Sequence, residues 1–456
     1  MFRGKRVFDA VVVGSGLGGL TAGALIAHAG YRVLVLERND AFGGAATTYH
    51  RGRITVEASL HETSDPRLPS DLNHEVFEAL DLFDDLEFVA VDDFYEVRGS
   101  LVGEPLTIPH GFDAVAAVLT DRFPSDGDAI RSFFGRIEAV QAAMSLLSDD
   151  HDGRWWLTHV AELPMKLWAV VRDLRSSVST VLDRYFGANE ALKIAVAANV
   201  MYNTDDPDTM WWLTFVANQG GFLADGGCFI RGGSRSLTEQ LVARINAGAG
   251  DARAGATVAE ILLDGNGRAS GVRYQTGDGA EVIVDTPVVF ANTAPHVVEA
   301  MLPQAQREAF MAPYRDKPVS ISLFSINLGL DRPAADLGVA SYSTVLIPDW
   351  FTELRDLKHC ADLLAEPPTS QLWSWGSATA TDRGWPGAVG KRRALPIAEP
   401  VPVRSGPEGY ESLRHRSGSI RSPARAFARQ RPPPLGSNAV PPLRIAAAFE
   451  ELTEGV

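Results

Sequence analysis

The chain has 456 residues, 45% of them hydrophobic and 22% charged, enough for more than one domain, and this balance does not separate an enzyme from a binding module. Its net charge of −15 argues against a nucleic-acid partner, because neutralising phosphates requires a basic face. The two cysteines, Cys228 and Cys360, match no zinc spacing and read as reduced thiols in a reducing compartment. The basic start at residues 1–6 leads into an apolar run too short for a secretory leader, and no run approaches the roughly 18 apolar residues of a spanning helix. The expectation is a cytoplasmic protein, soluble or peripheral on a membrane.

Residues 7–13 read as a short buried strand, 17–29 as a helix rich in Ala and Leu, and 31–37 as a second strand. A strand, a glycine loop, a helix and a strand in this order form the parallel crossover unit. From residue 50 to about 220 the pattern turns helical with few strands: 113–123 and 127–147 carry apolar residues at helical spacing, and 155–186 is an aromatic-rich stretch interrupted at Pro164. Strand patterns return at 255–263, 269–276 and 281–290, joined by turns at Asp264-Gly265 and Asp278-Gly279, with a further strand pair expected at 319–330 and 341–347.

Gly14-Ser15-Gly16-Leu17-Gly18-Gly19 satisfies the dinucleotide fingerprint in its required context, after a strand and opening a helix. Gly14 permits the tight turn, Gly16 lets backbone approach a pyrophosphate, and Gly19 lets helix and strand pack closely. The phosphates would meet the free N–H groups and positive end of the helix. Glu37 ends the second strand, where its carboxylate can accept from ribose hydroxyls. The fingerprint alone does not separate NAD from FAD. A second glycine pair, Gly43-Gly44, follows shortly after Glu37 and Arg38 and leads into Ala45.

That extension resembles the amine-oxidase and carotenoid-desaturase superfamily, where such glycines lie against the flavin pyrophosphate. Segment 220–237, with its pairs Gly220-Gly221, Gly226-Gly227 and Gly232-Gly233, looks like the glycine-pair segment leading back into the flavin domain. Residues 256–261 and 271–274 are similar to the family's strand pair, and Val288 to Pro295, containing Asn292-Thr293-Ala294-Pro295, to its hydrophobic strand and turn. The chain thus resembles the phytoene dehydrogenase-like proteins over about residues 7–374. The resemblance implies an α/β fold: a Rossmann-like FAD-binding domain built from discontinuous segments, with an inserted, mostly helical plus β-sheet substrate domain. It implies FAD as cofactor, a hydrophobic small molecule (a long polyene or related lipid) as substrate, and an adenine contact through the Val258 backbone. The expected divisions are residues 1–62, 220–304 for the flavin domain, and 63–219, 305–375 for the substrate domain.

Hydride transfer needs little side-chain chemistry, since the cofactor carries the redox step. His61 stands where relatives approach the flavin and is the candidate base for an adjoining proton; a histidine hydrogen-bonded in the core is the other reading. Glu57 and Glu62 flank it. Relatives carry Asp-x-Gly where Val56-Glu57-Ala58-Ser59-Leu60-His61 stands, which sets this chain apart from a standard phytoene desaturase. Asp205, Asp206 and Asp208 read as a solvated turn, and no metal site is expected. Trp155, Trp156, Trp168, Trp211 and Trp212 concentrate aromatics in the helical region, as core, as substrate lining, or as a patch touching a membrane surface. An amine oxidase is the alternative within the fold, and an NAD-linked dehydrogenase ranks last.

Residues 376–456 differ from the rest. They hold 12 Lys and Arg against 7 Asp and Glu, and 11 of the 27 prolines, with no helix or strand period. Two readings stand: a disordered basic tail, or translation of a shifted reading frame. Relatives close the flavin site with a C-terminal strand, turn and helix, and no such element is legible here. A catalytically impaired remnant is therefore a third functional reading, and limited proteolysis is expected to trim this tail.

Overall fold

The computed structural model describes residues 8–51, 54–57, 62–148, 153–159, 161–317, 333–339 and 341–360. His61, the expected strand at 319–330 and the tail at 376–456 lie outside the described residues.

Strand β1 (Ala10–Val13) is apolar at every position and buried on both faces, which fits a parallel sheet covered on both sides. The chain turns at Gly14, runs through helix α1 (Leu17–His28) and returns as β2 (Val33–Leu36), parallel to β1 with Val11 opposite Leu34. Gly30, at a φ of 85°, takes the left-handed position that stops α1. Two distant segments complete this sheet: Gly250–Arg253 pairs with the far edge of β2, and Val289–Ala291 with β1. The four-stranded order is therefore 250–253, β2, β1, 289–291, all parallel. Helix Ser234–Ala247 packs beside α1 through Leu237, Leu241 and Ile245, each such fully buried aliphatic side chain contributing about 1.5–3 kcal/mol. Gly23 lets α1 lie close to both neighbours; a Cβ there would lie 2.7 Å from Cγ2 of Val35 on β2 and 3.3 Å from Cδ1 of Ile245 on the second helix.

The strand expected over 281–290 divides in two. Glu281–Asp285 closes an antiparallel sheet with Thr257–Leu263 and Ala269–Gln275, whereas Val289–Ala291 joins the parallel sheet. Between them stands Pro287, which cannot donate to a ladder, so the chain changes sheets there.

The stretch from 50 to 220 holds more strand than its sequence suggests. A hairpin, Asp93–Gly99 with Gly103–Pro109, forms one wall of the helical region, and Thr344–Leu346 adds parallel to it at Glu96–Arg98. Phe94, Tyr95, Glu96 and Val97 are all buried, so the first strand lacks the alternation that marks a half-exposed one. Against this wall pack Phe133, Ile137, Phe186, Trp212 and Phe215, on helices Gly127–Ser148, Val178–Phe186 and Trp212–Asp225. The aromatic stretch at 155–186 is three helices, Gly153–His159, Leu163–Arg172 and Val178–Phe186, with Pro164 in the first turn of the second, where a proline fits. Among the described residues, no helix is long and apolar enough to cross a membrane.

Candidate functional site

The first glycine loop closes over the C-terminal end of β1. Gly14 has a φ of 95°, and a Cβ there would lie 2.5 Å from the carbonyl oxygen of Asn292. A Cβ at Gly19 would lie 2.3 Å from the carbonyl oxygen of Gly14, so the third glycine is needed for the loop itself. Gly16 has a φ of −57°, which any residue can adopt; its requirement is space, not backbone freedom. The N-terminus of α1 has no side-chain cap and no acid in its first turn, leaving the N–H groups around Leu17 and Gly18 free to meet an anion.

Glu37 is buried at the end of β2, and its carboxylate braces the loop. Oε2 accepts from the Ser15 N–H at 2.9 Å and the Ser15 hydroxyl at 2.6 Å, while Oε1 accepts from the Asn39 N–H at 2.9 Å. A carboxylate offers about four acceptor positions, so Oε1 keeps one for a ribose hydroxyl. Arg38 is exposed next to it.

The second glycine pair docks onto the first. Gly43 donates its N–H to the Ser15 carbonyl at 3.0 Å and to the Ser15 hydroxyl at 3.2 Å, and Gly16 and Gly43 form a parallel bridge. Gly43 and Gly44 have φ of 114° and 60°, and a Cβ on Gly44 would approach Cα of Gly16 to 3.0 Å. Backbone therefore lines both sides of this cradle, with Ala45 exposed at its rim. Val258 is brought to the acid end: Ala256 donates its N–H to the Glu37 carbonyl at 2.7 Å and Gly255 to the Asn39 carbonyl at 2.9 Å. The predicted residues Gly14, Ser15, Gly16, Leu17, Gly18, Gly19, Glu37, Gly43, Gly44 and Val258 thus meet along one line, from three separated segments.

Asn292 follows strand Val289–Ala291, in the segment that the sequence shows as strand and turn. Its N–H donates to the Val13 carbonyl at 2.8 Å, and its amide lies over the loop, 2.9 Å from where a Cβ on Gly16 or on Gly19 would stand.

Beyond the cradle, Glu57 is committed to structure. It accepts from Thr48 at 2.8 Å, the Ser234 N–H at 2.9 Å and the Ser234 hydroxyl at 2.6 Å, placing a carboxylate at the start of helix Ser234–Ala247. Glu62 differs. Its Oε1 is buried without a hydrogen-bond partner, and a Cβ on Gly227 would lie 2.2 Å from it. Burial pushes its carboxyl up to about 8. Tyr202 and Tyr342 are near enough to be raised in turn, by burial first and by the Glu62 charge second. Cys228, a buried free thiol, is likewise pushed up to about 12, chiefly by burial. At neutral pH Glu62 therefore holds a proton in a buried surrounding. Nothing in the sequence around Glu62 marks it, because Tyr202, Gly227 and Tyr342, which lie near it, are 140 and more positions away.

Because Glu62 keeps its proton in the fold but loses it near 4.5 when unfolded, stability falls as pH rises between those values, at about 1.4 kcal/mol per pH unit. Glu62→Gln should flatten this slope. Urea midpoints of both proteins at pH 5.5 and 8 test this; parallel pH trends would show that Glu62 ionises freely.

The acidic turn is not simply solvated. Asp208 accepts from Arg355 at 2.9 Å and Lys358 at 2.5 Å, and Asp183 accepts from Arg355 at 2.8 Å, latching segment 354–360 onto the helical region. No group of acids, His or Cys among the described residues could hold a metal ion.

Residues 12–72 match the NAD(P)-binding Rossmann-like domain family. An all-trans-retinol 13,14-reductase of Danio rerio is 24% identical over 83% of this chain and 63% of its own length. An inactive all-trans-retinol 13,14-reductase of the same fish is 23% identical over 73% of this chain and 56% of its own. A neurosporene-forming phytoene desaturase of Cereibacter sphaeroides is 25% identical over 59% of this chain and 50% of its own. The chain thus spans less than two thirds of the length of each of these three relatives. Domain and relatives together support the carotenoid oxidoreductase family that the motifs resemble, and a dinucleotide as the cofactor.

Proposed function

We propose that this chain, whose motifs resemble those of the carotenoid oxidoreductases and whose relatives include them, is an FAD-dependent oxidoreductase acting on a long apolar polyene or related lipid. The observation that carries this reading is the docking of Gly43 onto Ser15. It doubles the backbone cradle beyond what a nicotinamide fingerprint needs, and a Cβ on Gly44 would crowd it. The residues present fit the ADP half of a flavin: helix N–H groups at Leu17 and Gly18 for phosphate, the remaining Oε1 position of Glu37 for ribose, and backbone at Val258 for adenine.

When bound, FAD supplies hydride donation and acceptance. The protein's part is to bind, to exclude water and to hold protons. Glu62 fits the last role: its carboxyl is protonated at neutral pH beside the equally uncharged Tyr202 and Tyr342. A group so poised suits giving a proton to one carbon of a double bond, the direction of saturation. His61 remains the candidate base for the opposite direction.

Reconstitution of the purified full chain with FAD and, separately, with NAD tests the cofactor. Flavin absorbance should remain with the protein through gel filtration, and uptake of NAD alone would overturn the assignment. For the substrate, polyenes should reoxidise or reduce the bound flavin and primary amines should not; flavin reduction by amines alone would reverse the ranking. A second reading, a flavin-binding chain with impaired turnover, is favoured by the change in composition at residue 376. It predicts flavin uptake without redox exchange with any polyene.

A further inference from the structure

Large apolar side chains are exposed at scattered places on this protein, but one group of them is ordered. On helix Leu163–Arg172, Met165 is 76% exposed, Trp168 60% and Val171 55%, at successive three-residue steps along one face. The opposite face carries Ala169 and Val170 into the core, with Leu167 packed against it, so the helix is anchored and its orientation set. Leu174, just past the helix, continues the exposed row, and the Trp211 indole N–H donates to its carbonyl at 2.5 Å, holding a further half-exposed aromatic alongside. An apolar row of this kind is costly to leave in water and marks a contact surface.

The charges around it identify what it contacts. Arg172 and Arg175 are exposed beside the row. Among the described residues of this helix and its preceding turn, the exposed acid is Glu162, and it is paired with Lys166 at 3.0 Å. Asp173, in the middle of the row, is fully buried and paired inward with Arg136 and Arg184, so it does not offset the outer charge. In a chain of net charge −15, this is a locally basic rim around an apolar strip. Protein interfaces deplete lysine at their cores, whereas an aromatic and aliphatic strip edged by long basic side chains suits the boundary between headgroups and acyl chains.

We propose that the Met165, Trp168, Val171, Leu174 and Trp211 face is a docking surface for anionic phospholipid bilayers, with the strip entering the headgroup boundary and Arg172 and Arg175 meeting lipid phosphates. The proposal does not depend on the cofactor or substrate assigned above.

The test uses the full chain and vesicles of phosphatidylcholine with or without phosphatidylglycerol. Protein should sediment with the anionic vesicles, less with the neutral ones, and less again as salt is raised. The combined Met165→Ser, Trp168→Ser and Val171→Ser variant should lose binding with an unchanged circular dichroism spectrum, because all three side chains face water. Arg172→Gln and Arg175→Gln, each removing one charge, should weaken binding to anionic vesicles by about fivefold apiece and leave binding to neutral ones alone. No sedimentation with either vesicle would overturn the proposal, as would binding unmoved by the triple substitution. If the same substitution instead converts a dimer to a monomer in gel filtration, the face belongs to a second copy of the chain and the lipid assignment fails.

Discussion

Gly16→Val should yield a folded protein that retains no flavin. Gly16 has ordinary backbone angles, so valine meets no conformational penalty of the left-handed kind. Its Cβ would stand 2.9 Å from the amide nitrogen of Asn292, the end of a side chain that is free to swing aside. The added γ-methyls would take up space beside the uncapped first turn of α1, whose N–H groups would otherwise meet phosphate oxygens. Losing two charge-assisted hydrogen bonds costs about 3 kcal/mol or more, a fall in affinity of more than roughly a hundredfold. Gly19→Ala provides the contrast. Its Cβ would strike the Gly14 carbonyl at 2.3 Å, a backbone clash that deforms the loop and should lower the melting temperature as well as binding. The check is the flavin-to-protein ratio after reconstitution, read beside thermal unfolding. A stable Gly16→Val protein with full flavin content would move the phosphates away from this helix.

The largest effect on stability is expected in the helical region. Asp173 is fully buried, and its carboxylate accepts from Arg136 Nε at 3.0 Å, Arg136 Nη2 at 2.6 Å and Arg184 Nη1 at 2.7 Å. Burial alone would raise its pKa; the guanidinium groups of Arg184 and Arg136 outweigh it and hold the carboxyl below the usual range. Arg136 is itself buried and also donates to the Ala169 carbonyl. Asp173→Ala therefore strands a charged guanidinium in the interior, at a cost of about 3–5 kcal/mol. Replacing both partners, with Arg136→Met added, should recover much of that loss, since no charge is then left buried. Chemical denaturation of the single and double variants decides it. A single variant within about 1 kcal/mol of the parent would mean that water reaches Arg136. Because Asp173 is buried and paired inward, its loss leaves the exposed Arg172 and Arg175 in place, and the single variant should still bind anionic vesicles if it folds.

Local sequence sufficed for the crossover unit and its chemistry. The β1 run, the glycine spacing and Glu37 at the end of β2 specify strand, turn, helix and strand through neighbours fewer than 30 positions apart, and such elements follow from backbone sterics and burial period alone. Tertiary structure decided what depends on distant partners. The strand at 93–99 is buried on both faces, so its period is erased, and the run 281–290 splits between two sheets because each half finds a different neighbour. Gly43 could be read as a glycine near an acid, but its bond to Ser15 exists only once the loop has folded. Glu62 illustrates the limit most sharply: its proton is held by burial among residues from Tyr202 to Tyr342, and desolvation by remote segments leaves no trace in the letters beside it. The same reason separates Trp168, which faces water, from Trp212, fully buried on another helix, though both belong to one aromatic-rich composition.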